Sequence, residues 1–257
     1  MKKKILLISM LLALAVFMAG CTEFNEPIYK DSQGFWNEYI VWPLVSLIEL
    51  FKDLAGTYGI GIILVTIIIR LALLPLMINQ TKSSKKMQEI QPEMKKLQEK
   101  YKSKDAVTQK KYQEEMQNLL KDNKVNPAAG CLPVLIQMPI LIGFYHAISR
   151  MNNTPEINLG GFLWFPLAEP SVSLAILAGL MQFIVLRTGP AIDNPQMKVM
   201  MYFMPFTIII FGSFLPAALS LYWVVGNIIS IIQNLFIYKP WEKKKKVEPV
   251  KSGGKKK

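Results

Sequence analysis

The chain has 257 residues, of which 51% are hydrophobic and 19% charged, with a formal net charge of +12 at pH 7. A half-apolar composition with positive mean hydropathy (+0.27) is more than a soluble domain of this length needs for one core, so an ordinary soluble enzyme is excluded and a polytopic membrane protein is the first reading. The positive charge sits in lysine clusters between and after the apolar runs, a pattern that speaks to topology and anionic lipid before nucleic acid, and DNA is not expected as a partner.

The first stretch carries Lys2, Lys3 and Lys4, a short apolar run, and then Ala19, Gly20 and Cys21. It resembles the lipobox of bacterial lipoprotein signal peptides, which implies removal of residues 1–20 and lipidation at Cys21. Residues 21–57 then form an extracytoplasmic segment. Within it Trp36, Ile40, Pro43, Leu44, Leu47, Ile48 and Phe51 recur at helical spacing, with Glu49 and Asp53 between them. That pattern predicts an amphipathic helix lying on the outer leaflet, with an ordinary core helix as the alternative.

About 20 consecutive apolar residues cross a hydrocarbon core. Five such segments follow, at 58–79, 131–151, 171–189, 199–216 and 219–238, the last two so close that only a tight helical hairpin can join them. Between the first two, residues 80–130 read as a helical hairpin: Met87, Ile90, Met94, Leu97 and Tyr101 follow a three-four spacing, Tyr112, Met116 and Leu119 repeat it, and Pro92 marks a first turn or a kink. Periodicity leaves open whether the hairpin is self-contained or a docking platform.

Orientation follows from lysine placement. Segment 80–130 is rich in lysine, including Lys82, Lys85, Lys86, Lys95 and Lys96, whereas the segment before the first span is mainly acidic, with Glu23, Glu26, Asp31, Glu38, Glu49 and Asp53. The N-terminus is therefore expected outside, and five spans place the basic tail, 239–257, in the cytoplasm. Cys21 and Cys131 then belong to opposite faces, which excludes a disulfide between them.

Arg70 interrupts the first span, in "TIIIRLALLP". An intramembrane arginine costs about 2.5–3.5 kcal/mol on insertion scales, so something must offset it. Its Cα lies roughly 13 Å along the helix from Asn79, about twice the reach of its side chain, so snorkelling alone falls short. No span contains Asp or Glu. Compensation is left to water and uncharged polar groups: Thr66 one turn earlier, Gln137 in the second span, Gln182 in the third, and the stripe Trp223, Asn227, Ser230 and Asn234 in the fifth. Taken singly, each is explained by one interhelical hydrogen bond; taken together with the unpaired arginine, they predict a water-filled groove. The fourth span is almost wholly apolar, and its methionines and aromatics fit plain packing or a surface for clients of varied sequence. His146 reads as structural, without a set of metal ligands around it.

At "KVNPAAGCLPVLIQMPILIGFYHAI", "TIIIRLALLPL", "QPEMKKLQEKY", "MKVMMYFMP" and "LYWVVGNIISIIQNLFIY", the sequence resembles the YidC family of membrane protein insertases, relatives of the mitochondrial Oxa and chloroplast Alb proteins. The resemblance implies an all-α polytopic fold: five transmembrane helices around a hydrophilic groove open to the cytoplasm and to lipid, plus the cytoplasmic hairpin and the outer amphipathic helix. It puts the family's groove charge on Arg70, client contacts on Thr66, Met181, Phe211 and Trp223, and an apolar slide on the second and fourth spans, including Leu141. It also implies a bacterial plasma membrane of the Gram-positive kind.

The function expected is insertion and folding of nascent membrane proteins, alone or with the Sec translocon, with no cofactor, metal, nucleotide or covalent chemistry. Ribosomes and anionic lipids are the partners expected for the hairpin and the tail. A Sec-dependent assembly chaperone without autonomous insertion is the nearest alternative. A secondary transporter is a further one, disfavoured by the lack of intramembrane carboxylates and of an evident repeat.

Overall fold

A computed structural model describes residues 24–103, 105–123, 125, 132–189 and 195–238. Cys21, Cys131 and the tail 239–257 lie outside the described residues.

The described chain is mostly helical. A π-helical turn, Asn37–Val41, leads into α1, Trp42–Ala55. Gly56 ends α1 in a left-handed conformation (φ 86°), its N–H donating to Lys52 O, a backbone state that suits a residue without Cβ. Thr57 then caps α2, Tyr58–Glu89, its hydroxyl accepting from Ile60 N at 3.4 Å. The helix begins where the first span was expected but runs on past Asn79, so span and first hairpin segment form one continuous rod. It breaks at Ile90, where α3, Gln91–Lys100, starts with Pro92 in its first turn.

Helix α4, Ala106–Asp122, is capped by Asp105, which accepts from Thr108 N at 2.8 Å. Glu115 of α4 ties it back to α3, accepting from Lys100 Nζ at 2.9 Å and from the Tyr101 hydroxyl. After α5, Leu132–Asn153, an outer loop folds into a minimal hairpin, β1 Gly161–Phe162 antiparallel to β2 Phe165–Pro166. Then come α6, Val172–Thr188, α7, Pro195–Gly212, and α8, Ala217–Tyr238. The turn joining the last two is 213–216, and Ala217 and Ala218 belong to α8. Their N–H groups donate to Glu169 O (2.8 Å) and Leu167 O (3.1 Å) of the outer loop, which satisfies donors that a helix start leaves unpaired.

Helix α2 packs along α1 on one side and along α8 on another; α8 packs on α6, and α6 on α7, while α5 joins through α1 and the first turns of α8. Small residues set the closest approaches: a Cβ at Gly61 would meet Ile48 O at 2.7 Å, and one at Gly179 would meet Ile209 Cγ1 at 2.4 Å. The buried core gathers toward one end, with Ile62 and Val65 of α2, Phe144, Ile148 and Met151 of α5, Leu174 and Ala178 of α6, and Leu219 of α8.

Among the described residues, α2 and α8 are long and apolar enough to cross a bilayer, while α6 and the apolar part of α7, Met201–Gly212, are shorter. The 17 residues of α6 rise roughly 26 Å, slightly less than a 30 Å hydrocarbon core. The helix preceding α2 packs one face on protein and leaves another exposed. Val41, Val45 and Ile48 turn a fully buried face inward, and Ile40 and Leu44 approach Gly143 of α5, leaving Leu50 and Leu54 outward. Its apolar stripe is wide enough for two faces, one of which the close approach at Gly61 turns into protein contact.

A buried arginine fixes the outer end. Arg150 of α5, 2% exposed, donates from Nε to Glu26 O (3.1 Å), from Nη2 to Pro27 O (2.9 Å) and from Nη1 to Asn37 Oδ1. It thereby ties the N-terminal segment and the π turn to α5. Replacing it with Met strands the buried Asn37 Oδ1, at about 1–3 kcal/mol, and removes the bonds to two part-buried carbonyls, so Arg150→Met is expected to lower unfolding stability by about 2–3 kcal/mol, measured in detergent by denaturant titration.

The Tyr101 hydroxyl and Lys100 hold the Glu115 carboxyl below its usual range. A depressed carboxylate stabilises the folded form above its unfolded pKa, about 4.3, and the contribution is lost as pH falls through the folded value. Amide exchange across α3 and α4 in the full chain, corrected for the intrinsic rate, should therefore rise below about pH 4.3, and Glu115→Gln should weaken that dependence, leaving the part that belongs to the Asp105 cap, whose carboxyl is also held low by Ser103 and Thr108.

Candidate functional site

Arg70 leaves α2 half-buried, and its guanidinium lies against α8. The contact is at Gly226: a Cβ built there would sit 2.5 Å from Nη2 and 3.2 Å from both Cζ and Nε of Arg70. The guanidinium therefore fills the space that any other side chain would need. Nη1 also donates to Met77 Sδ, two turns further along α2, at 3.9 Å. Tyr222, one turn before Gly226, directs its hydroxyl toward Arg70 and accepts there from Gln137 Nε2 of α5. The Tyr222 ring is fixed by stacking on Phe144, with centroids 4.5 Å apart. Neutral dipoles from α5 and α8 thus surround the cation.

Among the described residues the ion pairs are Lys52–Asp53 (3.0 Å) and Lys100–Glu115 (2.9 Å), one in the outer helix and one in the hairpin. Neither involves Arg70. Beyond the guanidinium, toward the hairpin, the α2–α8 contact stays polar. Gln233 Nε2 donates to Thr81 Oγ1 (3.2 Å), the Tyr238 hydroxyl donates to Thr81 O (3.2 Å), and Thr81 Oγ1 donates to Met77 O (2.8 Å). In the opposite direction lie Ile62, Val65, Phe144 and Leu219, all buried and apolar. The site is flanked by polar contacts on one side and by buried apolar residues on the other.

The residues expected around the charge divide among several neighbours. Gln137 reaches Tyr222 and so joins Arg70. Thr66 is fully buried, and its hydroxyl donates to Ile62 O of its own helix at 2.7 Å. Asn227 and Asn234 turn to α6 instead, Nδ2 of each donating at 3.2 Å, to Ala178 O and Val185 O respectively. Ser230 donates to Gly226 O (2.8 Å) within α8, Gln182 Nε2 points to Met204 Sδ of α7 (3.8 Å), and Trp223 is half-buried. Of the expected client contacts, Leu141 and Met181 are half-buried and Phe211 is 56% exposed.

The stripe on α8 was real, but adjacent residues on a helix point about 100° apart. The face meeting α2 is Tyr222, Gly226 and Gln233; the stripe through Asn227 and Asn234 meets α6. Sequence reasoning missed Tyr222, Gly226 and the buried Arg150. An aromatic and a glycine inside an apolar run carry no polar signal, and Arg150 sits so near a span end that it reads as an interfacial residue. His146 packs among aromatic edges, with ring centroids of Phe24, Trp36 and Tyr145 at 6.4, 6.2 and 6.0 Å. Among the described residues no group of three His, Cys, Asp or Glu could hold a metal ion.

A family model described as 60Kd inner membrane protein matches residues 50–246. The chain is 52% identical to membrane protein insertase YidC 2 of Bacillus anthracis, across 99% of both chains. It is 51% identical to membrane protein insertase MisCA of Bacillus subtilis (strain 168), over 100% of this chain and 99% of that one. Its fold resembles a solved active YidC insertase with the first transmembrane domain resolved, at a TM-score of 0.61 and 28% identity, over 77% of this chain and 46% of that longer one. With the unpaired arginine, the neutral dipoles around it and these likenesses together, the chain belongs to the 60Kd inner membrane protein family, that of the YidC membrane protein insertases.

Proposed function

We propose that this chain inserts and folds nascent membrane proteins in the bacterial plasma membrane, using Arg70 as the charge of a hydrophilic groove. The observation that carries the reading is the half-buried Arg70 guanidinium, faced by Tyr222 and Met77 and joined to no carboxylate among the described residues. A cation kept in such a setting attracts an anion more strongly than water allows, because Coulomb energy grows as the effective dielectric falls from about 80 toward about 20. The missing anion is then the acidic extracytoplasmic tail of a client.

Helices α2, α5, α6, α7 and α8 are the five spans of this reading. The lysine-rich hairpin faces the cytoplasm and the acidic segment faces outward. The polar run through Thr81, Gln233 and Tyr238 supports opening on the hairpin side, and the apolar core around Ile62, Val65, Phe144 and Leu219 supports closure on the other. Completion is hydrophobic: the client's apolar segment passes along α5 and α7, past Leu141, Met181 and Phe211, into lipid, gaining about 0.8 kcal/mol per buried methylene. The exposed Phe203, Met204, Phe206 and Phe211 of α7 supply a mixed aromatic and thioether surface for that passage. Lipidation at Cys21 fits the same outward N-terminus, the hairpin and basic tail suit ribosomes or anionic lipid, and the Sec translocon is the partner for larger clients.

In proteoliposomes holding the purified full chain, a one-span client with an acidic tail should insert well above empty liposomes; parity with empty liposomes would leave only the Sec-dependent chaperone. Arg70→Ala is expected to reduce insertion of that client about tenfold, the equivalent of about 1.4 kcal/mol, with a much smaller effect on a neutral-tailed client, while Arg70→Lys keeps part of the activity. Equal losses for both clients would mean that Arg70 is structural.

A further inference from the structure

We infer that Gly226 is a positioning residue for Arg70: the bare stretch of α8 backbone at Gly226 is the seat that holds the guanidinium at the wall of the groove. The inference rests on the proposed role of Arg70 and adds the element that sets where its charge stands. Of the guanidinium atoms, Nη2 lies 2.5 Å from the point a Cβ of residue 226 would occupy, closer than real Cβ atoms come, and Cζ and Nε lie at 3.2 Å, a tight contact. The atoms displaced by such a Cβ belong to the free end of a long side chain, not to backbone. A methyl group at 226 is therefore absorbed by Arg70 moving, with the helices staying in place.

Nothing else on α8 can provide the seat. Tyr222, one turn earlier, is fixed by Phe144 and Gln137, and Ser230, one turn later, donates to Gly226 O. Asn227 and Asn234 lock the orientation of α8 by donating to Ala178 O and Val185 O of α6, positions seven residues apart on each helix. Their matched spacing keeps Gly226 turned toward α2. A glycine inside a helix is otherwise unfavourable relative to alanine, so its presence here is explained by the space that it leaves.

The experiment is a cycle of Gly226→Ala and Arg70→Gln, singly and together, in the full chain in proteoliposomes. Gly226→Ala is expected to leave thermal unfolding in detergent unchanged or raised and to lower insertion of the acidic-tailed client at least threefold. In the Arg70→Gln background the same substitution should change insertion by less than a factor of 1.5, since no guanidinium remains to be displaced. Equal losses in the two backgrounds would overturn the inference and make Gly226 a packing residue, with the charge reading of Arg70 intact. A second readout is independent of insertion. Phenylglyoxal modification of Arg70, followed by peptide mass mapping and normalised to Arg187 in the same sample, should run several-fold faster in Gly226→Ala, as the guanidinium leaves the α8 wall for water. An unchanged or slower ratio overturns the inference even if Arg70 proves indifferent to client charge.

Discussion

A single unneutralised guanidinium, resting on the backbone of a neighbouring helix, is the constraint around which the bundle is arranged. A cation between apolar helices needs dipoles, and here they come from Tyr222, held in turn by Gln137 and Phe144, and from the thioether of Met77. Each of these neighbours is neutral. An internal carboxylate would neutralise the charge and stabilise the bundle, but it would also occupy the site permanently. In the proposed reading, the absence of such a carboxylate among the described residues leaves the positive charge of Arg70 available.

The rest of the packing is divided to protect that situation. At the end away from the hairpin, Arg150 donates to two carbonyls and an amide oxygen, and a buried apolar core lies beside it. Two arginines in one bundle are thus handled in opposite ways, one consumed by hydrogen bonds that tie chain segments together, the other left facing neutral dipoles. The outer loop adds to the closure, supplying Leu167 and Glu169 carbonyls to the first turns of α8. Toward the hairpin, by contrast, the contact between α2 and α8 is made through Thr81, Gln233 and Tyr238, whose polar atoms tolerate water nearby.

The helices and much of their order were legible in the sequence because long apolar runs and three-four periodicity are one-dimensional signals. Tyr58 as the start of α2 and a first turn or kink at Pro92 follow from such local chemistry, and the amphipathic run read over 35–54 stops one residue short of the observed end at Ala55. What the sequence could not resolve was partnership. The polar stripe on α8 was visible, yet nothing in it says that Asn227 and Asn234 face α6 while Gly226, next in line to Asn227, faces Arg70. Close approach was equally hidden, because a glycine gives no signal of what lies against it. The helix preceding α2 shows the same limit: its apolar stripe is clear in the sequence, but the neighbour filling one side of it, α2 at Gly61, is not.

The unbroken course of α2 has a mechanical consequence. Its 32 residues rise roughly 48 Å, so the contact with α1, the guanidinium and the root of the lysine-rich hairpin are points on one helix. Pro75 lies in it just beyond Arg70 and lacks the N–H that would complete the local ladder, which makes that turn the compliant joint. A change in the course of α2 at that turn would therefore move the root of the lysine-rich hairpin relative to the charge, because both belong to the same helix.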